Sequence, residues 1–400
     1  MLGDFRQLPP VGDSAIYNKK SGGKWIAGYN LYQHFTNVVT FSKIQRQDGN
    51  LQKEFRAQLE RLGDGQFKRT DWEQWKKRSL HQLDHASKLE FQQTATKACA
   101  LKKDMATYNI ERIKAIGQPV APIPAENDCS EAKGIRGDNE SGLPSHLLLC
   151  KGAKIRLRSN LWTAAGLVNG AVGHVHSIIY DQGKKPPQIP RAIIATFDGY
   201  IGPSYLPNVP KAVPIVPARR TWISRGRKTC NRKQLPVILS YALSIHMLQG
   251  ATEKKVLLNA GPVEFCQGLL LVGSTRTKAI EDLAFDPMPP FHRFEKINKS
   301  QEVKRRRAEE DRMAKLEGMT FQKNKAIISD CFHRYGRASG PTPRPKRQAP
   351  APPKGPVAGT SRPQRPAPAP PGPVPPQTSG LTTRPKRPAP APPRGPVSRK

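Results

Sequence analysis

The chain has 400 residues, with 66 Lys or Arg against 31 Asp or Glu, which gives a formal net charge of +35 at pH 7. An excess this large favours a polyanionic partner, usually nucleic acid, over a cationic surface that serves only solubility. No apolar stretch approaches the length of a membrane span. The six cysteines are scattered without a CxxC pair. They therefore predict neither a zinc site nor a disulfide framework, and they fit a reducing compartment.

The first informative segment is residues 3–11, GDFRQLPPV. Its Asp4 and Gln7 stand in a loop between Gly and Pro, which suits the carboxyl end of a buried parallel strand, where α/β sheets bind ligands. A glutamine there can donate to a terminal phosphate oxygen or orient an attacking water. Pro9 and Pro10 end any regular element and stiffen the loop. Taken alone, the segment would be better interpreted as a surface turn.

Apolar residues at helical spacing predict helices near the amino terminus, and one β-branched run predicts a strand. The predicted helices are Trp25–Phe35, a segment with Phe55, Leu59 and Leu62 on one face, and Asp71–Arg78, and the predicted strand is Asn37–Phe41. Trp72 and Trp75 are interpreted as packing residues rather than as a platform on which bases stack.

The middle of the chain predicts a small β-structure between two α/β segments. Thr94–Ile113 fits a strand followed by a helix, and residues 122–142 fit a loop. Short strands separated by Gly, Asn and Pro come next, a pattern typical of a small barrel. These strands are His146–Cys150, Lys154–Arg158, Gly173–Tyr180 and Arg191–Phe197. The α/β pattern resumes with strands at Leu235–Ser240 and Lys255–Asn259.

Residues 300–318 are rich in both charges and predict a solvated helix. Opposite charges four residues apart would stabilise it by roughly 0.2–0.5 kcal/mol a pair. The pairs are Glu302/Arg306, Arg306/Glu310, Arg307/Asp311 and Asp311/Lys315. A nuclear-import patch at Lys304–Arg307 is the alternative, and the residues leave both interpretations open.

The basic segment, residues 219–233, carries cations and no acid, with Trp222 among them. The cations are Arg219, Arg220, Arg225, Arg227, Lys228, Arg232 and Lys233. Cations for the phosphates and an aromatic ring for a base are typical of sequence-independent binding of single-stranded DNA. A solvated loop is an equally good interpretation.

The tail, residues 341–400, holds 21 of the 40 prolines and 12 Lys or Arg but no Asp or Glu. It cannot bury a core, so we expect it to be disordered and extended as polyproline II. A repeat close to RPKRPAPAPPRGPV starts at Arg344, Arg362 and Arg384. Each copy sets a PxxP pattern behind a basic residue, which would suit an adaptor domain with an aromatic groove. A solubilising linker is the favoured alternative, since PxxP is a common pattern.

Five segments between Gly3 and about Pro289 resemble, in order and spacing, motifs of the Pif-one/RecD branch of superfamily-1 DNA helicases. They are GDFRQLPPV at Gly3–Val11, IQRQ at Ile44–Gln47, a glycine-containing segment at Lys151–Val175, LPVILSYALSIHMLQGAT at Leu235–Thr252 and VGSTRTKAIEDLAF at Val272–Phe285. The third of these is similar to the inserted barrel of Src-homology-3-like shape in that family.

The resemblance implies an ATP site between two domains. The implied catalytic residues are Gln7 as sensor of the γ-phosphate, Arg46 reaching across the cleft to the phosphates, and Arg276 as arginine finger. Further nucleotide contacts are implied for Gly3, Asp4, Gln249, Gly250 and Lys278, in addition to Gln7. No residue is assigned to a metal ion.

Single-stranded DNA is the implied partner. The resemblance places DNA contacts at Asn160, Asn169, Gly170, His246 and Thr252, and the basic segment adds Trp222, Arg225 and Arg227. The sequence departs from the family at Met247, where lysine is usual, and so would lack one cation near the phosphates.

The implied fold class is α/β. Residues 1–41 would be part of a first RecA-like domain, residues 42–142 and 235–290 a second RecA-like domain of the P-loop-NTPase type, and residues 143–234 the inserted β-barrel. Residues 291–340 would be a charged helical extension, and residues 341–400 the disordered tail.

ATP and Mg²⁺ are the cofactors of the resembled family, but the phosphate-binding pattern GxxxxGK(S/T) occurs nowhere in this sequence. We therefore expect the carboxy-terminal part of a 5′-to-3′ DNA helicase of genome maintenance, which binds single-stranded DNA but hydrolyses no ATP as this chain. We expect it in the nucleus, with the mitochondrion as the alternative. The rival hypothesis is a non-catalytic protein that binds single-stranded DNA or an adaptor through its basic barrel and tail.

Overall fold

The computed structural model describes residues 3–327 and 329, apart from 11–12, 20–22, 42–43, 131–140 and 225–226. Val11, Arg225 and the tail at 341–400 therefore lie outside the described residues, as does part of the loop predicted at 122–142. The predictions made for these residues stay predictions.

The regular elements alternate between helices and short strands. The helices are α1 (Gly23–Gln33), α2 (Lys53–Gly63), α3 (Arg69–Lys76), α4 (His85–Thr94), α5 (Lys102–Lys114), α6 (Ile245–Leu248), α7 (Leu269–Ser274), α8 (Phe291–Asn298) and α9 (Gln301–Lys323). The strands are β1 (Thr96–Cys99), β2 (Ala121–Pro124), β3 (Glu126–Asn127), β4 (His146–Leu149), β5 (Lys154–Leu157), β6 (Val172–Ile179), β7 (Ala192–Phe197), β8 (Ala212–Ile215), β9 (Ala218–Ile223), β10 (Thr229–Gln234), β11 (Val237–Leu239), β12 (Ala242–Ser244), β13 (Val256–Asn259) and β14 (Leu283–Phe285). Short 3₁₀ turns lie at Asn50–Gln52, Thr163–Ala165 and Ile280–Asp282.

A parallel sheet in the order β12-β1-β13-β14 forms the centre of the α/β part. Trp75 is fully buried in its core, stacked on Phe285 at 5.4 Å and edge-on to Phe67 at 4.9 Å. Its indole Nε1 donates to Gln58 Oε1 at 2.6 Å, so the polar atom of the ring is paired. Helix α2 buries the predicted face with Phe55, and the packing role predicted for Trp75 is confirmed.

An antiparallel β-structure occupies the chain between β1 and β12. Its largest sheet has the order β11-β5-β6-β7-β8, and sheets of three strands (β3-β10-β9) and two strands (β2-β4) accompany it. The four strands predicted from the short β-pattern are confirmed as β4, β5, β6 and β7. Closure into a barrel stays a prediction, since the observed pairing leaves β11 and β8 as the edges of the five-stranded sheet.

The α/β pattern, predicted to resume with a strand at Leu235–Ser240, resumes later in the chain, because this strand belongs to the antiparallel sheet. Strand β11 pairs antiparallel with β5, with Val237 opposite Leu157, and the parallel sheet resumes at β12. A short apolar run fits a buried strand of either sheet, because its side chains carry no sign of which strand it joins.

Two local predictions are wrong. Asn37–Phe41 forms no strand, because its backbone bonds to α9 instead: Val38 N donates to Thr320 Oγ1 at 2.9 Å and Thr40 N to Glu317 Oε1 at 2.6 Å. The predicted loop at 122–142 contains part of β2 and all of β3, which pair with β4 and β10.

Helix α9 is longer than predicted and buries one face. Arg306 is 1% exposed and donates to the backbone oxygen of Gly63 and, at 2.7 Å, to Glu310. The Arg306/Glu310 pair is thereby confirmed, whereas the fully solvated helix is wrong. A nuclear-import patch at 304–307 could not include Arg306, because that side chain is buried.

Along the described part of the chain, no helix combines the length and apolar composition that a membrane span needs.

Candidate functional site

The amino-terminal loop is organised by Asp4. Its Oδ1 accepts from Arg6 N at 2.9 Å, and its Oδ2 accepts from Gln7 Nε2 at 3.1 Å. Arg6 then anchors the loop through Asp64 at 3.0 Å and Glu310 at 3.3 Å. Asp4 therefore orients the Gln7 side chain, while Gly3 and Asp4 themselves are exposed. The anchoring role of Arg6 was missed, because its partners are distant in the sequence.

Gln7 contacts Gln249 in the fourth of the five segments, Leu235–Thr252. Gln249 Nε2 donates to Gln7 Oε1 at 3.2 Å, although the two residues are 242 positions apart. Gly250, next to Gln249, has φ +83. Gly268 has φ +86, and a Cβ there would lie 3.0 Å from the carbonyl oxygen of Arg6, so a glycine lets the loop approach α7.

Arg46 joins the fourth and fifth motifs. Its Nε donates to Thr252 Oγ1 at 2.8 Å and its Nη1 to Thr275 O at 3.0 Å. Gln47, which the sequence did not single out, donates to Thr275 O at 3.2 Å and Thr277 O at 2.6 Å. Thr252, for which a DNA contact is predicted, accepts this bond from the arginine that is predicted to bind phosphate. Burial lowers the pKa of Arg46.

Arg276 is buried beside these residues, with 2% of its surface exposed. Its guanidinium donates to Val272 O at 2.7 Å, to Leu248 O at 3.2 Å and to Thr275 Oγ1 at 2.6 Å. Burial and then the neighbouring charge of Arg46 lower its pKa to about 10. A desolvated cation held by neutral oxygens favours the approach of an anion, since an opposite charge offsets the burial penalty.

These residues form one cluster, which we call the phosphate cluster: Asp4, Gln7, Arg46, Gln249, Thr252 and Arg276. Lys278 is two residues beyond Arg276 and exposed. No group of three or more His, Cys, Asp or Glu side chains suited to a metal ion occurs within the described residues.

In the glycine-containing segment, the residues that are predicted to bind DNA form a turn. Asn160 Oδ1 accepts from Asn169 N at 2.8 Å, and Gly170 N donates to Leu157 O at 2.9 Å. Gly170 has φ +94, which a side chain would disfavour. Asn160 and Asn169 are both exposed to solvent.

The basic segment is a hairpin formed by β9 and β10. Arg219, Arg220 and Arg227 are exposed, and Trp222 on β9 is half-buried opposite Cys230. The prediction that Arg232 belongs to a DNA-binding patch is wrong, because this side chain is 0% exposed.

The guanidinium of Arg232 is used within the protein. Its Nε donates to Asn127 Oδ1 at 2.9 Å and its Nη1 to Leu143 O at 2.8 Å, so it fastens the hairpin to its neighbours.

No family model matches the sequence. It is 27% identical to an ATP-dependent DNA helicase PIF6 of Trypanosoma brucei brucei over 309 residues, and 28% identical to an ATP-dependent DNA helicase PIF1 of Xenopus laevis over 293 residues. These alignments cover 73% and 72% of this chain but 37% and 41% of the relatives. The crystal structure of the Pif1 helicase from Candida albicans matches 71% of this chain and 63% of that one, with a TM-score of 0.53 at 20% identity, and so shows the same fold.

The chain is therefore similar to Pif1 helicases in sequence and in fold. The resemblance stated from the five motifs is thereby confirmed, as is a mixed α/β fold with a RecA-like parallel sheet. The chain spans about two fifths of the length of these two relatives.

The position at which the sequence departs from the resembled family is Met247. Met247 is partly buried against the core of the parallel sheet. It therefore contributes apolar packing rather than a charge. His246 beside it is half-buried, and burial, followed by the positive charge of Lys102, lowers its pKa.

Glu253, a buried residue that the sequence did not single out, connects the antiparallel β-structure to Arg276. Glu253 N donates to Arg276 O at 2.9 Å, and its carboxylate pairs with Arg156 Nη2 at 2.9 and 3.0 Å. It also accepts from Thr96 Oγ1 at 2.9 Å. The one available signal was an acid directly after the fourth motif in a strongly basic chain.

Proposed function

We propose that this chain is the part of an ATP-dependent DNA helicase that senses the terminal phosphate of ATP and holds single-stranded DNA. The observation that carries the proposal is the phosphate cluster, in which Gln7, Arg46 and Arg276, from three distant segments, each bond to a residue between 248 and 252. Arg46 and Arg276 donate to neutral hydroxyl and carbonyl oxygens of the protein, and cations held in this way suit a polyphosphate.

The roles within the cluster follow from the chemistry of each side chain. Gln7 has an amide held by Asp4 and Gln249, so it can orient a water or donate to a phosphate oxygen. Arg46 and Arg276 would neutralise charge on the γ-phosphate. Gly3, Gly250 and Lys278 would complete the contacts at the rim of the cluster.

ATP, when it is bound, supplies free energy through its hydrolysis. The buried cation of Arg276 fits its terminal phosphate. No group of three or more metal-ligating side chains occurs within the described residues, and no step is assigned to Mg²⁺.

The DNA-binding surface is proposed to comprise the exposed asparagines of the 160–170 turn, His246 and the hairpin with Arg227 and Trp222. Glu253 links this antiparallel part to Arg276, which supports a coupling between nucleotide and DNA. Movement from 5′ to 3′ and a role in genome maintenance, in the nucleus or the mitochondrion, belong to the same proposal.

For this polypeptide alone, we propose binding of single-stranded DNA without ATP hydrolysis, because the sequence lacks the GxxxxGK(S/T) pattern that cradles phosphates. Fluorescence anisotropy with a labelled oligothymidine should show binding that weakens as salt is added, and a DNA-stimulated ATPase assay should show no turnover. Absent DNA binding would contradict the first claim, and measurable turnover the second.

The second candidate function is a non-catalytic adaptor, and the three proline-rich repeats of the tail favour it. Deletion of residues 341–400 separates the two roles. Unchanged DNA affinity would leave the tail as a partner-binding or spacer segment, whereas a large loss of affinity would assign the tail to DNA binding.

A further inference from the structure

Two cysteines that are far apart in the sequence lie side by side in the structure. The Sγ atoms of Cys129 and Cys230 are 2.6 Å apart, although the residues are 101 positions apart in the chain. Cys129 is half-buried and Cys230 is 0% exposed. Both are thiols in the structure, and their sulfur atoms lie closer together than two sulfur atoms in van der Waals contact.

The backbone register holds this pair in place. Strand β3 pairs antiparallel with β10, with Glu126 opposite Lys233 and Asn127 opposite Arg232. The same register continued by two residues sets Asp128 opposite Asn231 and Cys129 opposite Cys230.

Hydrogen bonds show that the register does continue. Asp128 N donates to Asn231 O at 3.3 Å, and the Asp128 carboxylate accepts from Asn231 N and Nδ2, each at 2.7 Å. Directly opposite residues of an antiparallel pair have Cα atoms roughly 4.5–5.5 Å apart, within the range of about 4.4–6.8 Å that disulfides span.

We propose that Cys129 and Cys230 form a reversible disulfide that locks the basic hairpin onto β3. The oxidant is a small-molecule disulfide such as oxidised glutathione. Cys129, the more accessible thiol, loses its proton and attacks one sulfur of the oxidant, which releases one reduced thiol. Cys230 then loses its proton and attacks the Cys129 sulfur of the mixed disulfide, which releases the second. The protein gives up two electrons and two protons, and the oxidant becomes two thiols.

The consequence falls on the hairpin that carries the basic segment. Strand β10 is bonded on one side to β9 and on the other to β3, and β3 contributes only the two residues Glu126–Asn127 to that ladder. A covalent bond at the end of so short a ladder would hold the hairpin against fraying. This holds whether or not the hairpin binds DNA.

The test uses the full chain in buffers of increasing oxidised-to-reduced glutathione ratio. Thiols are alkylated, and peptides are mapped by mass spectrometry without reduction. We expect the linked Cys129–Cys230 peptide to accumulate before any link that involves Cys99 or Cys150. Random pairing, or two reduced thiols under strongly oxidising conditions while the protein is folded, would overturn the proposal.

A thermal measurement gives an independent readout. Closing a loop of this length should raise the midpoint of thermal unfolding by about 5 °C on oxidation. Cys129→Ser should abolish the increase, whereas Cys266→Ser, at another partly buried cysteine, should retain it. An increase that persists in C129S would mean that oxidation acts elsewhere.

Discussion

Arg156 and Glu253 form a buried ion pair in which one guanidinium nitrogen contacts both carboxylate oxygens, at 2.9 and 3.0 Å. Each side chain is 8% exposed. Arg156 belongs to β5 of the antiparallel sheet, whereas the backbone of Glu253 is bonded to Arg276 of the phosphate cluster. The pair therefore connects the proposed DNA-binding part to the proposed phosphate-binding part.

Glu253→Ala should destabilise the protein by about 3–5 kcal/mol, because it leaves the Arg156 cation buried without its partner. Urea denaturation measures the loss. Replacing both residues by methionine removes both charges and should cost at least about 2 kcal/mol less than the single change. A double variant as unstable as E253A would contradict this account.

The matched control is an exposed pair, Arg69 and Glu73, whose side chains are 61% and 57% exposed at 3.4 Å. Glu73→Ala should change the stability by only about 0.3–0.5 kcal/mol, since solvent screens the pair. Similar losses in E73A and E253A would show that burial is not the cause.

Gly166 and Gly170 should differ in their tolerance of alanine. Both have positive φ, +87 and +94, but a Cβ at Gly166 would lie 2.4 Å from the carbonyl oxygen of Gly199, whereas Gly170 has no atom within 4 Å. Gly166→Ala should cost about 2–5 kcal/mol, from backbone strain and the collision together. Gly170→Ala should cost about 1–2 kcal/mol, from strain alone. Denaturant unfolding of the two variants checks the order, and equal losses would contradict it.

The local part of the fold was predictable from the sequence. The face of α2 with Phe55 and Leu59 and the strand-to-helix step at Thr94–Ile113 follow from short-range periodicity, which nearby residues determine. Asn37–Phe41 has the composition of a strand, but in the structure its amide groups at Val38 and Thr40 donate to side chains of α9. Pairing partners are set by distant residues, which periodicity does not reveal.

The candidate site was predictable only through the motif resemblance. Residue types alone gave no sign that Gln7 would meet Gln249, 242 positions away, or that Glu253 would pair with Arg156. Arg232 shows the opposite error: its charge suggested a DNA contact, but its side chain is consumed by Asn127 and Leu143. Charge counts predict a partner class, and burial decides which cations can reach it.

The stability should depend on pH through His246. Burial and then Lys102 lower its folded-state pKa below the ordinary value of 6.5. As the pH falls through 6.5, the unfolded chain takes up the proton first, so stability present at neutral pH is lost. His246→Asn removes this loss. When the pH is lowered from about 7.5 to about 5.5, the free energy of unfolding should therefore fall less in the variant than in the wild type.

Denaturant unfolding of both proteins at the two pH values checks the sign. His174 also has a pKa lowered by burial, so H246N should retain part of the acid sensitivity, and H174N/H246N should retain less. His146→Asn, at an exposed histidine, serves as the control. A wild type that gains stability relative to H246N on acidification would refute the assignment.

The salt dependence of DNA binding should identify which cations of the hairpin contact phosphates. Arg227 is exposed, and its backbone N donates to Ser224 O at 2.9 Å, so Arg227→Gln removes an exposed charge from the hairpin. If Arg227 neutralises one phosphate, the slope of log affinity against log salt should flatten by about 0.7 for single-stranded DNA, and affinity at low salt should fall.

Lys114→Gln gives the comparison that decides the question, because Lys114 is an exposed cation at the end of α5, outside the basic segment. Both substitutions lower the net charge equally. Anisotropy titrations with oligothymidine between about 50 and 200 mM salt should therefore flatten the slope in R227Q and leave it unchanged in K114Q. Equal slopes in the two variants would mean that the whole protein's field, and not a contact made by the hairpin, attracts the DNA.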